Sequence, residues 1–334
     1  MVKHYPGRWL LAGSLLTLLL LGLGLRVGSY ATDYAFIWKT LRHYDATDPA
    51  QLALIELRLP RLLLAWLAGA SLALSGYLLQ NLVNNPLADP YLLGTASGAS
   101  LGAIVAYIFF PALTLGGLYL PPLAALAGGL GATLLVVAIG SRRGRLQAAP
   151  LLLGGVAVGA LAAAVGSLIT FLAADQDSLR TVVFWAFGSF ERAGWAVLPY
   201  PTGILAVSLG LLVFLQKDLN LLLLGEERAQ ALGLPVVRLR WLMLALVSAL
   251  TGGVVALCGP VGFVGLVVPH LTRGLLGATG RLNLAFCAVL GGGFLLACDL
   301  LARLLHPPAG LPVGLVTALL GVPFFVYLLK KAVS

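Results

Sequence analysis

Long apolar runs alternate with short polar breaks along the whole chain, near 9–30, 57–81, 93–110, 118–140, 147–172, 196–215, 236–258, 263–278, 282–305 and 313–330. A helix needs about 20 apolar residues to cross a bilayer, so this pattern predicts about ten transmembrane helices. The eighth run is short, and Gly259, Gly262 and Gly265 interrupt its start, so the pattern accommodates nine to eleven spans. Residues 173–195 set Asp175, Asp177, Arg180, Glu191 and Arg192 around an apolar Thr181 to Phe190 that is too short to cross. They predict an external re-entrant or surface helix. Residues 31–57 form the other sizeable external segment, with Asp45, Asp48 and Glu56 among aromatics.

Composition agrees with the pattern. With 60% hydrophobic residues, 10% charged residues and a mean hydropathy of +1.00 over 334 residues, a soluble globule is excluded. The expectation is an all-α polytopic membrane protein forming one transmembrane domain over residues 1–334. An even span count puts both termini on one side, and the positive-inside rule decides which. Lys3, Arg8, Arg142, Arg143, Arg145, Lys217, Arg228, Arg238, Arg240, Arg273, Arg281, Lys330 and Lys331 then face the cytoplasm. Arg26, Lys39, Arg42, Arg58, Arg61, Arg180, Arg192 and Arg303 fall outside. Both termini are therefore expected to be cytoplasmic, in the plasma (inner) membrane. The net charge of +9 reflects this topology and not nucleic-acid binding, because no basic run is interleaved with exposed aromatics.

The apolar run from Trp9 to Leu25 is long for a signal sequence and no small-residue cleavage site follows Arg26, so it reads as the first span. Cys258, Cys287 and Cys298 have no C-x-x-C spacing and read as small buried hydrophobes. His270 follows a proline at a helix end, and His4, His43 and His306 form no spaced set with it, so no metal site and no cofactor are expected. No lysine lies in G-x-x-x-x-G-K-[ST], which leaves no P-loop for ATP. No H-E-x-x-H, G-x-S-x-G or paired catalytic carboxylates occur, so a membrane enzyme is not expected.

Between two apolar runs, residues 217–240 form a charged island. Within it, Gly225-Glu226-Glu227-Arg228-Ala229-Gln230-Ala231-Leu232-Gly233-Leu234-Pro235 predicts a short surface helix of about two turns, bracketed by glycines and stopped by Pro235. Such a helix, held between two spans on the basic side, suits a lever for a cytoplasmic partner; the same residues suit a solvated loop.

Three blocks are more specific. The first runs through Arg58-Leu59-Pro60-Arg61, Gly69, Ser75-Gly76 and Gln80, then Asn84-Asn85-Pro86-Leu87-Ala88-Asp89-Pro90, Leu93-Gly94 and Ser97-Gly98-Ala99. The second is Gly259-Pro260-Val261-Gly262-Phe263-Val264-Gly265-Leu266-Val267-Val268-Pro269-His270. The third joins Asp299-Leu300-Leu301-Ala302-Arg303 to Leu311-Pro312-Val313-Gly314, Thr317 and Gly321-Val322-Pro323-Phe324-Phe325. With the G-x-x-x-A-x-x-L-G spacing of Gly225, Ala229, Leu232 and Gly233, these blocks resemble the ABC importer permeases of the FecCD family. Those BtuC-like, type II permeases import vitamin B12, haem and iron-siderophores.

The resemblance covers nearly the whole chain and implies a transport subunit, not an enzyme. It implies a homodimer that works with two separate ATPase subunits and an external binding protein. It implies docking of the binding protein by Arg58, Arg61 and Arg303, where snorkelling at the membrane interface is the plain alternative. It implies ATPase coupling through Gly225, Glu226, Glu227, Arg228, Ala229, Leu232 and Gly233. Asn85 and Leu87 become cytoplasmic gate candidates, with a structural turn as the alternative. The translocation path is implied to run between paired copies of spans five and ten, at Gly155, Gly159, Thr317 and Gly321. Trp185, Gly188, Ser189 and Phe190 match an outer-mouth element, or an aromatic belt. The runner-up function is a secondary transporter driven by an ion gradient, which needs ionisable residues near mid-membrane that the spans largely lack.

Overall fold

The structure, a computed structural model, describes all residues except 1–5, 29–31, 111–112, 116–117, 143–144, 147, 174–175, 308–309 and 334. Lys3, His4, Arg143 and Asp175, named above for their charge or chemistry, lie outside the described residues. The chain is all-α apart from two two-residue antiparallel ladders, Thr114–Leu115 with Leu118–Tyr119 and Ser141–Arg142 with Arg145–Leu146.

Ten helices coincide with the ten apolar runs. They are α1 (Pro6–Arg26), α4 (Leu59–Leu82), α5 (Thr95–Phe109), α6 (Leu120–Gly140), α7 (Ala148–Leu172), α9 (Pro199–Leu222), α11 (Val236–Cys258), α12 (Val264–Leu276), α13 (Asn283–Leu305) and α14 (Val313–Val333). Seven of these, among the described residues, are long and apolar enough to cross a membrane; α5 and α12 are shorter, and so is the described apolar stretch of α14. Between them lie α2 (Tyr34–Arg42), α3 (Pro49–Leu52), α8 (Gln176–Ala186) and α10 (Glu226–Ala231). The surface helix expected within 173–195 is α8. The first two, α2 and α3, subdivide the external segment that patterning left undivided.

The axis of the bundle is α4, buried along almost its whole length and packed by α9, α11, α12 and α13. A helix apolar on every side belongs in a core, and small residues let its neighbours approach. A Cβ at Gly76 would lie 1.8 Å from the carbonyl oxygen of Gly265, so only glycine permits α12 to cross there. Close packing also holds at Gly98, where a Cβ would meet Ala132 and the Gly128 carbonyl of α6 at 2.4 Å. The helix α1 sits outside this core, presenting Leu11, Leu15 and Leu18 outward. It runs parallel to α13, with Gly13 beside Phe286 and Gly24 beside Arg303.

The glycines ahead of α12 mark a true break. Gly265 lies against Leu72 and Gly76, near the middle of α4, so the irregular stretch from Gly259 to Phe263 enters the bundle at mid-depth. Non-helical backbone at that depth needs partners within the protein. The Tyr91 hydroxyl supplies them for Val261, donating to its carbonyl and accepting from its N–H, both at 2.9 Å. Phe263 closes the break with a φ of +70°, a region that few side chains adopt.

Candidate functional site

The short helix α10 is built as its glycines foretold, and its end is a Schellman motif. The Leu234 N–H donates to the Ala229 carbonyl at 3.0 Å and the Gly233 N–H to that of Gln230 at 2.9 Å, with Gly233 at φ +85°. Arg240 of α11 holds Glu226 at 3.0 Å, and Gln230 donates to the same carboxylate, so α10 is fixed relative to α11. Ala229 faces inward and is fully buried, whereas Leu232 is 61% exposed and Leu224 51%. Glu227, Arg228, Gln230 and Ala231 share the exposed side. Leu224, Gly225, Glu226, Glu227, Arg228 and Gln230 line a hollow of about 430 Å³ beside it. An exposed leucine flanked by both charge signs on a rigidly held helix is a ready contact for a protein partner.

At the opposite end of the bundle, the three arginines expected on the outer face are drawn into the protein. Asp299 is fully buried, held by Arg61 at 2.8 Å and by Arg303 of the same helix at 3.1 Å. Arg303 also donates to the carbonyls of Gly24 (3.0 Å) and Val27 (2.9 Å), and Arg58 to that of Leu25 (2.8 Å) and to the Thr32 hydroxyl (3.1 Å). These carbonyls belong to the last turn of α1 and its exit, the negative end of its dipole, where cations bind well. Arg58 is 7% exposed and Arg303 8%, and the Arg61 side chain 16%. The i, i+4 pairing of Asp299 with Arg303 is present as expected; the free guanidinium surface implied for docking is not. Exposed cations near this end include Arg26, Lys39, Arg42 and Arg192.

The turn holding Asn85 and Leu87 is densely wired. Asn85 Oδ1 accepts from the Leu87 N–H at 2.9 Å, while the Asn85 N–H donates to the Gln80 carbonyl at 3.1 Å. Gln80 is buried; its amide donates to the carbonyls of Ala88 and Gly265, both at 3.1 Å, and its oxygen accepts from Arg273. Arg273 also lies over the Tyr77 ring, 5.6 Å from its centre. These bonds tie the end of α4, the turn and α12 together. Asp89 caps the following turn by accepting from the Tyr91 N–H at 2.8 Å. Burial of its carboxyl pushes its pKa up to about 6, the capping bond opposing that rise in part.

Of the residues assigned to the path, Gly155 and Thr317 are buried within the subunit. A Cβ at Gly155 would lie 1.6 Å from the Leu92 carbonyl, and one at Gly159 would lie 3.3 Å from the Ser97 hydroxyl, so this edge of α7 is turned toward α5. Gly321 accommodates the Phe263 ring, which a Cβ would approach to 2.3 Å, and Thr317 bonds its own helix at Gly314. The outward sides of the same helices carry Val156, Ala160, Ala163 and Ser167 on α7 and Leu315, Leu319 and Val322 on α14. His270 packs edge-on to Phe324, and no cluster of metal-ligating side chains occurs among the described residues.

A loop-bounded helix at one end, a broken helix at mid-depth and an apolar exterior fix the setting of the candidate site, and sequence comparison supplies the family. A profile of the FecCD transport family matches residues 15–331. The chain belongs to that family. A hemin transport system permease, HmuU of Yersinia pestis, is 39% identical, the match covering 97% of this chain and 96% of the relative. The vitamin B12 import system permease BtuC of Vibrio cholerae is also 39% identical, over 99% and 97% respectively. A solved structure described as an inward-facing conformation of a metal-chelate type ABC transporter superposes with a TM-score of 0.85. It is 33% identical, with 98% of this chain and all of that one covered. As a FecCD transport family member, the chain is a multi-pass subunit of an ABC importer. The Gln80–Arg273 and Tyr91–Val261 links went unseen in the sequence because their partners lie far along the chain, although Gln80 stood within the diagnostic block.

Proposed function

We propose that this FecCD transport family permease moves a metal chelate, of the vitamin B12, haem or ferric-siderophore class, across the plasma membrane. ATP hydrolysis on two separate subunits drives it. A second copy of the chain completes the pathway, and an external binding protein delivers the cargo. Both chain termini and α10 face the cytoplasm. The observation that carries this reading is α10: a fixed helix whose exposed side, with Leu232 and Arg228, stands at the end of the bundle where α1 starts and α14 ends.

The pathway reading shifts with the geometry. The outward sides of α7 and α14, and not the inward Gly155, Gly159, Thr317 and Gly321, are the walls that paired copies would present to one another. Asn85 and Leu87 act through the wired turn, so gating there is a movement of α4, the turn and α12 together. Binding-protein docking on this end falls to the exposed surface around the arginine cluster, with Arg58, Arg61 and Arg303 shaping it from beneath.

The test is a pull-down of the detergent-purified permease with its cognate P-loop ATPase. The wild-type chain should retain the ATPase, and a Leu232→Asp variant of unchanged thermal stability should lose it. Retention by that variant, with Arg228→Glu equally without effect, would remove α10 from the contact.

A further inference from the structure

Helix α2 is amphipathic in a way that its packing does not use up. Asp33 caps it, accepting from the Phe36 N–H at 2.7 Å, and Ile37 and Thr40 are buried against the protein. Tyr34, Trp38 and Leu41 are 53%, 59% and 54% exposed. At about 100° of rotation per residue, these three form one stripe spanning about 60°, centred about 100° round from the packed side. Lys39 and Arg42 lie further round in the same sense, away from the protein.

The height of this stripe is fixed by α1. That helix is lipid-compatible on most sides and ends at Arg26, whose guanidinium lies over the Tyr34 ring, 4.9 Å from its centre. The first turn of α2 is thereby tied to the level at which α1 leaves the bilayer. Tryptophan and tyrosine concentrate at that level, where an apolar ring body and a polar edge are both satisfied. Arg42 stacks on Trp38 at 4.5 Å, which keeps its cation beside the ring.

We propose that α2 lies in the membrane interface as a lipid-binding anchor. Its Tyr34–Trp38–Leu41 stripe enters the upper acyl region, and Lys39 and Arg42 contact the phosphates of anionic phospholipids. Exposed apolar surface beside cations suits this occupant. A soluble binding protein landing on the same stripe would instead need it in water.

Leu41→Cys places a nitroxide label on the stripe, and Asp45→Cys places a control three residues past the helix; the native cysteines are buried and stay in place. In nanodiscs containing phosphatidylglycerol, the label at 41 should show an oxygen-to-nickel-chelate collision ratio several-fold above that at 45. Lys39→Glu with Arg42→Glu should lower that ratio. Equal nickel-chelate access at both positions would overturn the proposal. So would shielding of position 41 that arises only when the binding protein is added, which would reassign the stripe to protein docking.

Discussion

The buried carboxylate of Asp299 organises three helices through two arginines, and its removal tests that role. Asp299→Ala leaves Arg61 and Arg303 buried without their counter-ion, which costs about 3–5 kcal/mol in comparable sites. The detergent-solubilised protein should unfold at a clearly lower temperature. A variant as stable as wild type would mean that the arginines are free to serve an external partner. The sequence displayed half of this cluster, since Asp299 and Arg303 are one helical turn apart. It concealed the rest, because Arg61 lies 238 residues from Asp299 and Arg58 spends its donors on the exit of α1. Asp89 offers a second test. Its pKa rises from 3.8 to about 6 on folding, so the folded state binds the proton more tightly. That contribution to stability is complete below about pH 4 and is lost as pH rises toward 6. Asp89→Asn keeps the cap on Tyr91 and should flatten the fall in melting temperature between pH 4 and 6; an unchanged slope would show that the carboxyl titrates normally.

Elements were legible where punctuation residues bound them. Gly225, Gly233 and Pro235 gave α10 its limits, and the glycines from 259 to 265 marked the break before α12. Side-chain direction was less legible, since it depends on what each helix packs against. Ala229 illustrates this: it belongs to the coupling spacing yet points inward. Ala229→Arg should therefore overpack the contact of α10 with the bundle and lower stability by about 1–3 kcal/mol, while Leu232→Ala leaves stability unchanged. The Leu232 change should weaken ATPase association about tenfold, the scale of one interface anchor. Thermal unfolding and surface-plasmon titration of both variants separate the two effects, and a destabilised Leu232 variant would contradict the orientation of α10. The glycines of α7 were assigned to the translocation path from the resemblance, and that Gly155 instead packs against the Pro90–Leu93 turn became visible only in the fold.

At the scale of the molecule, ten apolar runs were enough to give ten helices and an all-α class, because every span must satisfy its own backbone bonds. The depth of that break and its Tyr91 partner were not readable, since a hydroxyl bridging backbone groups leaves no periodic trace. The proposed pairing of two copies sets the outward sides of α7 and α14 against one another. Ala160→Cys should crosslink between copies in the assembled transporter, and Gly155→Cys, facing Leu92 inside one subunit, should not. Crosslinking at 155 alone would reverse the assignment of these faces. The central claim, import of a metal chelate powered by ATP elsewhere, is tested most directly by uptake into proteoliposomes. These would hold the permease and its cognate ATPase, with the binding protein supplied outside and radiolabelled cobalamin, haem or ferric siderophore offered in turn. One of these cargoes should accumulate only with ATP inside, irrespective of ion gradients, and not with the Leu232→Asp variant; accumulation driven by an ion gradient in the absence of the ATPase would contradict the account.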